Sequence, residues 1–153
     1  MQRRNAALSI LGTLALALAP TFAHAEGPTT KDAEELVQKA SAYLKANGQE
    51  KLLQAVNTKD GEFHKGELYV FVYDQTATIL AHPVNAKLIG RNTLEQPDVA
   101  GKYYRKDIIE LAKSKGKGWV DYKYKNPVSG KVEDKTSFVQ AADAVILVAG
   151  VYK

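Results

Sequence analysis

No cysteine occurs in the 153 residues, so disulfides, thiolate zinc sites, thiol nucleophiles and covalently attached c-type haem are excluded and packing alone must hold the fold. Histidine is nearly as scarce, at three in the chain, and one of these, His24, lies in an N-terminal leader. The other two, His64 and His82, have no His-x-x-His spacing or carboxylate cluster around them, so neither a metal nor any other cofactor is expected. A Gly-x-Ser-x-Gly elbow and a Ser-His-Asp grouping are also missing, which argues against an enzyme such as a small hydrolase. Beyond residue 25 no apolar run is long enough to cross a bilayer, because charge or glycine interrupts each within a few positions.

The leader itself has a charged start with Arg3 and Arg4, an apolar and small run from Ala6 to Ala19, then Pro20 and Ala23-His24-Ala25. That is the order of a secretory signal and its small-x-small cleavage site. The run falls short of the roughly 20 residues a spanning helix needs, and Pro20 ends it. Residues 1–25 therefore read as a signal peptide cleaved near Ala25, and 26–153 as one domain, periplasmic or secreted. Losing Arg3 and Arg4 halves the formal net charge of +4. The remaining lysines alternate with acids and form no stripe, so a nucleic-acid partner is not expected. A hydrophobic share of 45% is enough for one ordinary core, which excludes a disordered chain.

Apolar positions Ala33, Leu36, Val37, Ala40, Tyr43 and Leu44 keep helical spacing after a cap at Thr30, and Gly48 stops that helix. A short helix follows with Leu52, Leu53 and Val56 on one side. Leu68 to Tyr73 is β-branched and aromatic, Asp74 to Ala77 is a turn, and Thr78 to His82 is the partner strand. Pro83 to Pro97 is loop-like, and Lys102 to Lys115 returns to helical spacing. Three strands close the chain: Gly118 to Lys125, Lys131 to Gln140 and Ala144 to Tyr152. Hairpin connections predict an antiparallel sheet of about five strands in an α+β fold, with the helices on one or both of its faces.

Tyr69-Val-Phe-Val-Tyr-Asp74, Leu80-Ala-His-Pro83, Ile89-Gly-Arg-Asn92, Gly118-Trp-Val-Asp-Tyr122 and Gly150-Val-Tyr-Lys153 together resemble the single Cache domain family of the second type, across nearly the whole mature chain. The resemblance implies a PAS-like fold, with a long N-terminal helix on a central antiparallel sheet and a ligand pocket on the sheet's other side. It also implies an extracytoplasmic sensor whose ligands are small organic acids or similar metabolites. Ending at Lys153 directly after the last strand, the chain reads as a stand-alone exported member, a monomer or weak dimer. The alternative is an exported interaction protein that docks on a membrane receptor or transporter, with ligand binding secondary.

The candidate ligand-binding residues are Tyr69, Tyr73, His82, Tyr104, Trp119 and Lys135. Tyr69, Phe71 and Tyr73 share one face of their strand by the two-residue period. Phe71 reads as plain core, while a buried tyrosine hydroxyl needs a partner. His82, held extended by Pro83, reads as a donor to an anion, as a metal or haem ligand, or as a strand-end histidine bonded to nearby backbone, with the metal or haem reading the least favoured for want of partner ligands. Trp119 either plugs the core or walls the pocket, and the resemblance favours the pocket. Lys135 at mid-strand is either an exposed edge lysine or the pocket cation. Tyr104 lies on the apolar side of its helix, Arg105 reads as a solvated helix residue, and His64 as a surface residue in a turn.

Overall fold

The computed structural model describes residues 27–153, and the leader with its cleavage site lies outside them. Helix α1 (Thr30–Asn47) starts from Thr29, one residue before the expected cap. Only from Thr29 does an acid fall at the third helical position. Asp32 accepts from the Thr29 amide at 2.7 Å while its own amide donates to Thr29 Oγ1 at 3.3 Å, a reciprocal cap. Ala33, Val37, Ala40 and Leu44 form the buried stripe. Gly48, at φ +83°, turns the chain into α2 (Gln49–Asn57), which buries Leu52 and Val56.

The strands are β1 (His64–Lys65), β2 (Leu68–Asp74), β3 (Ile79–Ala81), β4 (Lys117–Lys125), β5 (Val132–Ala142) and β6 (Val145–Tyr152), with α3 (Tyr104–Lys115) between β3 and β4. All pair antiparallel in the order β1-β2-β6-β5-β4, with β3 also on β2. Six strands stand where about five were expected, because β1 is two residues long and too short for alternation to reveal. The expected strand Thr78 to His82 shortens to Ile79–Ala81, which leaves His82 just beyond its end.

Alternation along each strand separates two cores. Val70, Val72, Phe138, Leu147, Ala149 and Val151 face α1 and α2, whereas Tyr69, Phe71, Tyr73, Val120, Tyr122, Val139, Ile146 and Val148 face α3. Each fully buried Val, Leu, Ile or Phe contributes about 1.5–3 kcal/mol against the entropy of ordering the chain. The long connection between β3 and α3 is tied to the sheet margin. The Ile79 amide donates to Arg91 O at 3.1 Å and the Gly90 amide to Ile79 O at 2.8 Å. Thr93, fully buried, donates through its amide and its hydroxyl to Ala77 O. This connection and α3 together roof the second core.

Candidate functional site

Period-two alternation on β5 sends Lys135 and Ser137 toward the α3 side, and Lys135 is only 1% exposed. Its Nζ donates to the Tyr69 hydroxyl at 3.1 Å and the Tyr152 hydroxyl at 3.4 Å. The same atom lies 4.2 and 4.7 Å from the ring centroids of Tyr69 and Tyr152, and 5.6 and 5.7 Å from those of Tyr124 and Phe71. Four electron-rich rings thus box an ammonium group that water cannot reach. Burial drives its pKa down to about 7, and the charge of Glu67 offsets part of that.

Arg105 corrects the expectation of a solvated helix residue, being 6% exposed. The connection preceding α3 folds back over the helix's first turn and covers a position that an isolated helix would show to water. Nη1 donates to Gln96 O at 2.9 Å, and Cζ lies 4.3 Å from the Tyr104 ring centroid. Tyr104 in turn stacks on Tyr122 at 3.9 Å with the rings 3° from parallel. Arg105 Nε is buried with no hydrogen-bond partner. Among the described residues the ion pairs involve neither Arg105 nor Lys135.

His82 is buried, its amide donating to Asn57 Oδ1 at 2.9 Å and its Nδ1 accepting from the Asn85 amide at 3.1 Å. Burial, reinforced by the positive charges of Lys135 and Arg105, pushes its pKa down to about 3. The ring is therefore neutral, with the proton on Nε2. It packs against Tyr69, Phe71 and Tyr124 at centroid distances of 5.3, 5.5 and 6.4 Å.

Tyr69, Phe71, Tyr73, Ile79, His82, Tyr104, Arg105, Tyr122 and Tyr124 enclose a cavity of about 10 Å³, room for roughly one water. Four of the expected residues, Tyr69, Tyr73, His82 and Tyr104, line it, and Lys135 adjoins it through Tyr69 and Tyr124. Trp119 does not join them. It sits on the opposite face of β4, 39% exposed, with its ring 5.2 Å from Phe138. The strand's alternation turns Val120, Tyr122 and Tyr124 inward instead. Phe71, Ile79, Arg105, Tyr122 and Tyr124 are the members that sequence reasoning missed. Alternation alone groups Tyr122 with Tyr124, but choosing their face over that of Trp119 needs the register, in which Tyr122 pairs with Lys135. His64 is also buried rather than superficial. Its ring accepts from the Asp60 amide at 3.0 Å and donates to Gly66 O at 3.1 Å, a self-contained turn.

Chemically the cluster offers two cations, one neutral imidazole donor and several hydroxyls, with no carboxylate on its lining. Among solved structures, one described as the structural basis for carboxylic acid recognition by a Cache chemosensory domain is 27% identical. It matches 80% of this chain and 92% of its own, with a TM-score of 0.69. The periplasmic sensor domain of a chemotaxis protein, 24% identical, shares the fold over 80% of this chain and 88% of its own at a TM-score of 0.64. The sensor histidine kinase MctS of Rhizobium johnstonii (strain DSM 114642 / LMG 32736 / 3841) is 36% identical over 75 residues, which is 49% of this chain but 16% of the kinase. Cache domains are extracytoplasmic sensory modules of chemoreceptors and kinases. The model of the family described as Single Cache domain 2 matches residues 31–152, from the first turn of α1 to the end of β6, and the chain belongs to that family.

Proposed function

We propose that this domain binds a small organic acid in the cluster beneath α3 and does no chemistry on it. One observation carries the reading: the buried Lys135 and Arg105 take part in no ion pair among the described residues, Glu67 acting on Lys135 only from beyond ion-pair range, and Arg105 keeps an unpartnered Nε. Isolated buried charge is costly, and a carboxylate placed between these two groups would relieve both with charge-assisted hydrogen bonds. His82 Nε2–H and the tyrosine hydroxyls are suited to complete the donor set around its carboxylate. The likeness to a Cache domain that recognises carboxylic acids supports the same ligand class. With no acid on the lining to serve as general base, and His82 kept neutral and packed among rings, the groups present suit binding rather than turnover.

With a cavity of about 10 Å³, the ligand-free site is closed, so binding requires the Arg105 bond to Gln96 O or the aromatic packing to give way. A thermal-shift screen over two- to six-carbon acids tests the reading, with amines and purines as controls. At about 100 times its Kd an acid stabilises the fold by roughly 2.7 kcal/mol, several degrees in Tm. The shift should vanish in Lys135→Met and in Arg105→Gln. An amine or purine that shifts the wild type when no acid does would overturn the assignment.

A further inference from the structure

Tyr104, Arg105 and Tyr124 line not only the closed cavity but also an outer pocket of about 220 Å³, which Pro97, Val99 and Val132 share. Val99 is 74% exposed and Val132 49%, so an apolar strip stands in water beside a buried guanidinium. Arg105 marks the junction between the two spaces. Its Nη1 bond to Gln96 O ties it to the segment that walls the outer pocket, and its buried Nε has no partner. The inner space holds roughly one water, so even a carboxylate group enters only as the packing around it gives way, and a longer chain has no room beside it. The outer space, at about 220 Å³ against about 10 Å³, is roughly twenty times larger.

We propose that the outer pocket is the mouth of the site and the seat of an apolar tail. The ligand is then a monocarboxylate with several methylenes, its head drawn inward to Arg105 and Lys135 and its chain trailing over Tyr124 to Val99 and Val132. This rests on the carboxylate reading above and adds which acids the domain prefers. Asp98, Lys123 and Lys125 also line the outer pocket; the Asp98 carboxylate is taken up by the amides of Ala100, Lys102 and Lys123, and Lys123 pairs with Asp134, which leaves Lys125 to favour the approach of an anion. Because Val99 and Val132 are exposed, replacing them leaves the cores intact.

Titration calorimetry with acetate, butanoate and hexanoate on wild type, Val99→Ser and Val132→Ser tests this. In the wild type, affinity should rise by up to about fourfold per methylene, the gain from burying one CH2 group. The serine variants should bind acetate as the wild type does but lose most of the gain for hexanoate. An unchanged chain-length profile in the variants would overturn the proposal while leaving acid binding in place, as would wild-type affinity that falls beyond acetate. If no acid of any length binds, the carboxylate reading has failed and this proposal with it.

Discussion

Lys135 is an ionisable side chain in surroundings that penalise its charge. An amine of pKa about 7 in the fold, against 10.5 ordinarily, binds fewer protons folded than unfolded between those values. Stability of the ligand-free protein therefore rises with pH from about 7 to about 10.5 on this group's account. His82, at about 3 against 6.5, has the same sign lower down: stability is lost as pH falls from about 6.5 toward 3. Lys135→Met should accordingly raise the ligand-free Tm at pH 7, by about 1 kcal/mol or more in stability, while abolishing acid binding. In Lys135→Met the stability gain between pH 7 and 10 should also shrink, which thermal unfolding across that range would reveal. Acid binding has its own pH signature, since only the ammonium form pairs with a carboxylate. Affinity should fall above about pH 7 by up to tenfold per unit. Calorimetry in buffers of different ionisation enthalpy would detect the accompanying proton uptake, and its absence would separate Lys135 from the ligand.

At the level of elements, the pairing of β5 with β6 places Gly150 opposite Ser137. A Cβ on Gly150 would lie 2.1 Å from Ser137 Oγ and 2.4 Å from Thr136 O. The second contact is with backbone, so no rotamer change relieves it. Gly150→Ala should cost about 1–3 kcal/mol, measured as a shift in denaturant midpoint. It should also weaken acid binding, because Ser137 Oγ shares a 2.8 Å hydrogen bond with the Tyr122 hydroxyl on the cavity wall. Trp119 belongs to the same sheet but to its other face. Trp119→Ser should leave acid affinity within twofold of wild type by calorimetry, and a larger loss would mean that β4 is turned the other way in solution. At the start of α1, Thr29→Ala removes the reciprocal cap and should lower stability by about 1 kcal/mol.

For the whole molecule, one face of the sheet carries an aliphatic core under α1 and α2, and the other an aromatic and cationic core under α3. Export remains an expectation from the leader. Intact mass of protein from its native host should begin at Glu26, and a membrane-associated species retaining Met1 would count against cleavage. No helix of the described residues is long and apolar enough to span a bilayer.

Helix α1 was legible from Ala33, Val37, Ala40 and Leu44, and β2 from its run of β-branched and aromatic residues, because local period and propensity act over neighbouring positions. The tyrosine row of β2 and the oddity of a lysine at mid-strand were legible for the same reason. What lay beyond local reading was contact between residues far apart in sequence. Whether Trp119 or Tyr122 faces the lysine depends on sheet register, and a one-face choice reverses every side chain of the strand. Whether Arg105 meets water depends on the connection that folds over it, which has no sustained period to read. The sequence by itself determined the three helices, the longer strands and the family, and singled out Lys135 without deciding between an exposed edge and a buried position. Only the tertiary structure decided that two basic side chains, Lys135 and Arg105, are buried, that neither is in an ion pair among the described residues, and that Tyr69, 66 residues from Lys135 in the chain, meets it across the sheet, because contacts between distant residues follow from register and packing and not from local period.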